Sequence, residues 1–452
     1  MTESLNPKRI VLTTYGSLGD LHPYIALALE LKRRGHRPLI ATSPVFRDKV
    51  EPLGLDFHPT RPDFPSPYEQ PELMKELSKR AMHARTGAEF VARELFANRV
   101  RDSYADLMEA VQGADLLVTH PITFAGPLVA QVTGIRWVSS ILSPIVFFSA
   151  YDTLIPPHMA RMAKLFSLLP VPLNRLIRGI ARQGIKHWFE PVEALRKELG
   201  LPSRGIPIFE GQHSPEMVLA MFSKVLAEPR PDWPPNTHVT GFCFYDKLEA
   251  TDETTTLAPE LESFLESGKP PILFTLGSAA VWDADRFYQE SVEAAVRLGE
   301  RAVLLIGHEG NRPRRLPGGI AAFEYAPYSE IMPRVKVNVH QGGVGTTAQA
   351  LRAGKPVLFV PFSHDQPDNA WRVTRLGMAR MLTRGQYKAA RVAAELKALL
   401  TDARVAARAE EICRVVRAED GARRASELIE QMLAKGAAFE DKKEELIYAS
   451  GD

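Results

Sequence analysis

Cysteine is scarce in this chain. Cys243 and Cys413 are its only two, far apart and without metal-type spacing. That argues against a disulfide framework and for reduced thiols in a cytosolic protein. Long apolar runs are missing too, and none approaches the roughly 18–20 residues that a membrane-spanning helix needs. The opening MTESLNPKRIVLTTYG has no apolar stretch behind a basic start, so no signal peptide is read there. Neither sign of charge dominates: the formal net charge is +2, which makes no general electrostatic case for nucleic acid. Short-period repeats, the mark of a solenoid, are absent. What remains is a balanced composition, 45% hydrophobic and 24% charged, as in soluble globular proteins. At 452 residues the chain exceeds one ordinary core, so two domains are expected.

Strand and helix signals alternate along it. RIVLTTYG (9–16) is a short β-branched apolar run suited to a strand buried on both faces. Gly16, Ser17, Gly19, Asp20 and Pro23 punctuate the turn after it; YIALALELKRRG then has helical apolar spacing and stops at Gly35. RPLIATSP (37–44) is another strand, which completes a βαβ unit and implies a parallel sheet. ADLLVTHP (114–121) and RWVSSILSP (136–144) continue the pattern. From about 141 to 200 the chain turns apolar and helical, dotted with Pro and Arg. PRPDWPPNTHVTGF (229–242) reads as a domain edge ending in a strand fragment, and DKLEATDETTTLAPE (246–260) as an exposed linker. A second α/β series comes next in PPILFTLGSAA (270–280), RAVLLIGH (301–308), VKVNVHQGG (335–343) and KPVLFVPF (355–362). The tail FEDKKEELIYASGD (439–452) is charged and reads as frayed. Two similar α/β halves result, and their cleft is the natural ligand site.

The strongest local signal is VHQGGVGTTAQALRAGKPVLFVPFSHDQPDNA, residues 339–370. Gly342, Gly343 and Gly345 let the backbone turn tightly and approach a ligand. Thr346 and Thr347 fall in the first turn of the next helix, whose free N–H groups suit a phosphate. A plain strand–helix turn would use the same residues. The next strand then delivers SHDQPDN at a carboxyl end, where open α/β sheets bind ligands. Asp365 and Gln366 there can exchange several hydrogen bonds with sugar hydroxyls.

This stretch resembles the donor-binding signature of family-1 glycosyltransferases, and YGSLGDLHPYIALALELKRRGH resembles their N-terminal glycine loop. Within that family, PVFRDKVEPLGLDF, YAPYSEIMP and HDQPDNAWRVTRLG are similar to the rhamnosyltransferase of rhamnolipid synthesis. THP and GTTAQALRAG are similar to sterol glucosyltransferases. The resemblance implies a GT-B fold, an α/β architecture of two Rossmann-like domains with parallel sheets facing across a cleft. It divides the chain into an acceptor-binding domain (1–240), a linker (241–262), a donor-binding domain (263–420) and a C-terminal helix with charged tail (421–452). It implies a UDP-sugar, or a dTDP-sugar, as co-substrate and no obligatory cofactor. Gly343, Val344, Gly345, Thr346 and Thr347 would wrap the diphosphate, with Ser17 and Ser278 also on the donor side. Gln349 stands at a ribose position usually held by Glu, Tyr325 near a base-stacking Trp, and Gln341 at the usual pyrophosphate histidine. Asp365 and Gln366 match the pair that holds the donor sugar.

Inverting transfer also needs a base for the acceptor proton. Many family members use a His in the first glycine loop, steadied by an Asp at a later strand end. Here the loop position is Asp20 and the later one is His120, so the pair is exchanged. The two are expected to face each other, with the imidazole, of reference pKa about 6.5, as the better base near neutrality. His22 is a rival. The plainer alternatives are a helix-capping Asp20 and a His120 satisfied by backbone. DAD (283–285) is read as structural, at the acid-rich start of a helix, and no metal is expected. Helix-end N–H groups and Thr hydroxyls would stabilise the departing diphosphate instead.

Phe147, Phe148, Met159 and Met162 are expected to line a greasy acceptor pocket. Arg175, Arg178, Arg182 and Lys186 punctuate LNRLIRGIARQGIKHWF as in a helix with weak membrane-surface contact, or as the solvated basic face of a core-packed one. The reading is an inverting, metal-independent transferase placing a hexose on a small lipophilic or phenolic acceptor. A nucleotide-sugar epimerase of the same fold and a non-catalytic sugar-nucleotide-binding subunit are the alternatives. An NAD enzyme is disfavoured, because GSLGD is not the dinucleotide fingerprint.

Overall fold

Thirteen short strands form two sheets, one in each half of the chain. The computed structural model describes residues 6–152, 155–246 and 257–449, the side chains of Arg161 and of 436–449 excepted. Residues 247–256 of the expected linker and 450–452 of the tail lie outside the described residues.

The first sheet contains β1 (Arg9–Thr13), β2 (Arg37–Thr42), β3 (Asp56–Pro59), β4 (Leu116–Thr119), β5 (Arg136–Ile141), β6 (Val218–Ala220) and β7 (Thr237–Val239). Their spatial order is β3-β2-β1-β4-β5-β6-β7. The second contains β8 (Ile272–Thr275), β9 (Ala302–Leu305), β10 (Ile320–Phe323), β11 (Val337–His340), β12 (Val357–Phe359) and β13 (Ala379–Met381), in the order β10-β9-β8-β11-β12-β13. Every strand pairing among the described residues is parallel. Parallel sheets are covered on both faces, and β4, β8 and β11 are accordingly buried at every position. The two orders share one topology. Each runs outward in one direction from its first strand and then reverses, between β1 and β4 in one sheet and between β8 and β11 in the other. Ligands bind beyond the carboxyl ends of strands at such a switch point.

Five helices matter for the site: α1 (Leu18–Arg33), α2 (Val171–Ile185), α3 (Val344–Ala353), α4 (Gln366–Arg375) and α5 (Gly421–Ala449). α1, α3 and α4 each start within a few residues of a strand's carboxyl end, because the glycine- and Asp-rich turns leave no room for a loop. α5 returns to the first half. Ala425, Leu428, Ile429 and Met432 join the apolar cluster of Leu27 and Leu31, and Arg34 Nη1 pairs with Glu430 at 2.8 Å. A second cluster runs from Phe222 and Trp233 in the first half to Val357 and Phe359 in the second, so the floor between the halves is one continuous core.

Candidate active site

At the first switch point, Ser17 caps α1: its Oγ accepts from Gly19 N at 3.2 Å. Asp20, three residues on, returns the bond, its Oδ2 accepting from Ser17 N at 2.8 Å. This reciprocal box fixes the carboxylate. Its other oxygen, Oδ1, lies 3.6 Å from His120 Nε2, at the end of β4. The imidazole Nδ1 accepts from Ile122 N at 3.4 Å, so in the neutral ring the hydrogen sits on Nε2 and faces Asp20. The two groups differ in access: 32% of the Asp20 side chain is exposed against 8% for His120. Desolvation pushes Asp20 up to about 6, against the pull of its bonds to Ser17, and burial holds His120 down at about 3. His22 packs edge-on against Tyr245, 5.3 Å between ring centres, and burial lowers its pKa to about 3. Two residues along a helix is about 200° of rotation, so it faces away from the pair.

Gly16 makes the carboxylate seat. Its φ is +120°, and a Cβ there would fall on the Asp20 carboxylate. Gly16→Ala should therefore displace that group without touching any acceptor contact, lowering kcat more than it raises KM. Steady-state kinetics would check this, and an unchanged kcat would count against it.

The second switch point joins the turns after β8 and β11. Gly277 sits against Gln341 and Thr346, and Gln341 Nε2 donates to Thr346 Oγ1 at 3.4 Å. Ser278 is the second residue of the short helix Gly277–Ala280. Gly343 caps α3, Val344 packs against the apolar clusters of both halves, and Thr346, Thr347 and Gln349 are buried. Gln341 Oε1, Thr347 Oγ1 and Gln349 Oε1 are buried with no hydrogen-bond partner among the described residues. Across the cleft, a Cβ on Gly345 would stand 3.5 Å from Gly19 Cα. The starts of α1 and α3 thus meet glycine to glycine, one from each half.

Asp365 directly precedes α4 beside this junction and makes no side-chain bond to its first turn. Desolvation raises its pKa to about 7, opposed by a hydrogen bond from Asn369 and reinforced by the negative charge of Asp20. Gln366 Oε1 accepts from Phe362 N at 2.8 Å and Ser363 N at 3.3 Å, so that carbonyl shapes its own loop. Sequence reasoning misses three side chains here, Asn369, Ser143 and Tyr328. Asn369 Nδ2 donates to Asp365 Oδ2 at 2.7 Å and to Gly342 O at 3.0 Å, while its Oδ1 accepts from Ser143 Oγ at 3.0 Å. Tyr328 OH meets Thr275 Oγ1 at 2.9 Å at the end of β8. Asn369 and Tyr328 lie within SHDQPDN and YAPYSEIMP, but Gly342, Ser143 and Thr275, which they meet, are distant in sequence.

The expected acceptor lining needs correcting. Phe147 stacks on Trp233, 4.0 Å between centroids, and belongs to the core. Phe148 packs on Phe209 at 4.7 Å, while Met159 is half-buried and Met162 exposed. A cavity of about 20 Å³, room for about one water, lies beside His120, walled by Phe124, Pro127, Leu128 and Val192 with Arg204 and Glu210. Tyr325 OH donates to Asp246 O at 2.7 Å, and Asp283 of the DAD stretch pairs with Arg384 at 2.6 Å.

Comparison with known proteins agrees with this geometry. The N-terminal domain of glycosyltransferase family 28 matches residues 10–99, and the C-terminal domain of erythromycin biosynthesis protein CIII-like proteins matches 290–433. O-mycaminosyltylonolide 6-deoxyallosyltransferase of Streptomyces fradiae is 34% identical over 432 residues, 94% of this chain and 97% of that protein. Sterol 3-beta-glucosyltransferase of Leptosphaeria maculans is 29% identical over 381 residues, 82% of this chain but 25% of that protein, of whose length the chain spans about a quarter. Among solved structures, the kitacinnamycin glycotransferase superposes with a TM-score of 0.66 at 22% identity, covering 94% of this chain and 99% of that one. The glycosyltransferase VinC, solved with dTDP, gives 0.63 at 20% identity, covering 94% and 100%. These structures share the fold. Matched along nearly the whole of its Streptomyces relative, this chain belongs to the GT-B glycosyltransferases.

Proposed function

We propose that the chain moves a hexose or deoxyhexose from a pyrimidine nucleoside diphosphate to a hydroxyl of a lipophilic or phenolic acceptor, with inversion and without an obligatory metal. One observation carries the proposal: the switch points of the two sheets meet, with Asp20 and His120 on one side and the start of α3 on the other.

In this reading the acceptor hydroxyl reaches the exposed side of Asp20 from the cleft, and the diphosphate lies at α3. The acceptor oxygen attacks the anomeric carbon as the bond from that carbon to the diphosphate breaks. The acceptor proton passes to Asp20. Its raised pKa makes it a stronger base than an ordinary carboxylate, and it is the more accessible of the pair. His120, carrying its hydrogen toward Asp20, orients and steadies that group. Negative charge gathering on the leaving diphosphate meets the free N–H groups of α3, the hydroxyls of Thr346 and Thr347 and the amide of Gln341. Asp365 accepts from sugar hydroxyls, while Gln366 holds the loop that presents it. The name of the Streptomyces relative supports a deoxyhexose donor and a macrolide-sized acceptor.

Thermal shift with dTDP and with UDP tests the donor half. A ligand at about 100 times its Kd adds about 2.7 kcal/mol to native stability, so one of the two should raise the melting temperature clearly. No shift with either would sink the proposal. Incubating the matching nucleotide hexose with macrolide, sterol and flavonoid acceptors should release free nucleoside diphosphate only when acceptor is present. Conversion of the sugar nucleotide alone would favour the epimerase instead.

A further inference from the structure

Between Asp152 and Glu190 the chain carries Arg161, Lys164, Arg175, Arg178, Arg182 and Lys186 but no Asp or Glu. α2 lies in this stretch, and no residue of it is buried. The helix is amphipathic, yet its polar side is the one turned inward. Arg178 Nη1 pairs with Asp232 at 3.2 Å, Arg182 Nη2 pairs with Glu210 at 2.9 Å, and Asn174 Nδ2 donates to Ala150 O at 3.1 Å. The Nε atoms of both arginines are buried.

At about 100° per residue, Leu173, Leu176 and Ile180 occupy the opposite stripe. Leu176 is 60% exposed and Ile180 66%. Just before the helix in sequence, Leu165 at 56% and Leu168 at 73% are exposed too. The expected solvated basic face therefore holds only in part: Arg178 and Arg182 turn inward to acids, Arg175 and Lys186 stay exposed, and the solvent side also carries the apolar stripe. An exposed apolar stripe along a helix of this kind marks a contact.

We propose that this face docks on an anionic lipid surface. Apolar residues aimed outward can enter the boundary between headgroups and acyl chains, and the exposed Lys164, Arg175 and Lys186 around them match acidic headgroups. The same charges oppose self-association, since a second copy would bring another acid-free basic segment against this one. Docking is peripheral, because no helix among the described residues is long and apolar enough to cross a bilayer. It depends on neither the donor nor the acceptor assignment.

Flotation of the full chain with vesicles tests it. The protein should rise with phosphatidylcholine–phosphatidylglycerol vesicles and much less with phosphatidylcholine alone, and added salt should weaken the binding. Leu176→Glu/Ile180→Glu should abolish flotation while keeping the melting temperature and the nucleotide shift, because both side chains are exposed. Lys164→Ala, a milder change, should cut partitioning about fivefold. The proposal is overturned if the parent stays in solution with anionic vesicles, or if the double variant floats as well as the parent. It is equally overturned if the double variant instead splits a dimer of a chain that binds no vesicles.

Discussion

An Asp20→Asn enzyme turns over about 10²–10⁴-fold more slowly than the parent, the range that a positioned general base supplies. The substitution keeps the shape of the group and one oxygen for Ser17 N, so α1 remains capped and the loss is chemical rather than structural. The pH profile carries the sharper test. Desolvation sets Asp20 at about 6, and it must be ionised to accept a proton. The parent's kcat at saturating donor should thus be level above about pH 6 and fall about tenfold per unit below it, whereas Asp20→Asn should lack that acidic limb. His120→Gln should lose less, and its limb should move, because the neighbour of the base has changed. His22→Ala, on the far side of the helix against Tyr245, should alter kcat little. The reverse ranking, with His120→Gln far worse than Asp20→Asn, would return the base role to the imidazole.

That base assignment differs from the one the sequence suggests, and the reason is physical. Sequence order places a carboxylate after β1 and an imidazole after β4, and a parallel sheet sets adjacent strand ends side by side, so their meeting is readable. Burial is not. The imidazole is the better base by reference pKa, but its ring lies inside and its Nδ1 is occupied by Ile122 N. The glycine turns after β8 and β11 are likewise legible, because they interrupt long apolar runs. β3, β6, β10 and β13 are not: β3 (DFHP) and β13 (ARM) carry polar residues, unlike the equally short β8 and β12 in the apolar stretches PPILFTLG and KPVLFVPF. The inward turn of Arg178 and Arg182 on α2 is the clearest case. Periodicity of 3.6 identifies two faces of LNRLIRGIARQGI but does not say which one is turned to the protein. That is decided by Asp232 and Glu210, which lie beyond the helix in sequence.

Asn369→Ala should raise the donor KM about tenfold to a hundredfold. Asn369 is fully buried and ties three elements together: the carboxylate of Asp365, the carbonyl of Gly342 in the diphosphate turn, and Ser143 from the other half of the chain. A hydrogen bond to a charged group contributes about 1.5–3 kcal/mol, and that loss, expressed in donor binding, gives the stated range. The direction with pH comes from the same contact. Burial raises Asp365 to about 7, and Asn369 is the largest influence holding it down. Without the amide its pKa climbs further, so at neutral pH more of the protein carries a protonated Asp365 that has lost accepting capacity for sugar hydroxyls. Donor binding by Asn369→Ala should therefore recover as pH rises over a range where parental binding is already level. Ser143→Ala removes the link between the halves but leaves the Asp365 contact in place, so it should raise KM less and leave the pH dependence unshifted. Equal KM increases for the two variants, with no displacement of the pH curve in Asn369→Ala, would mean that Asn369 serves only to hold the halves together.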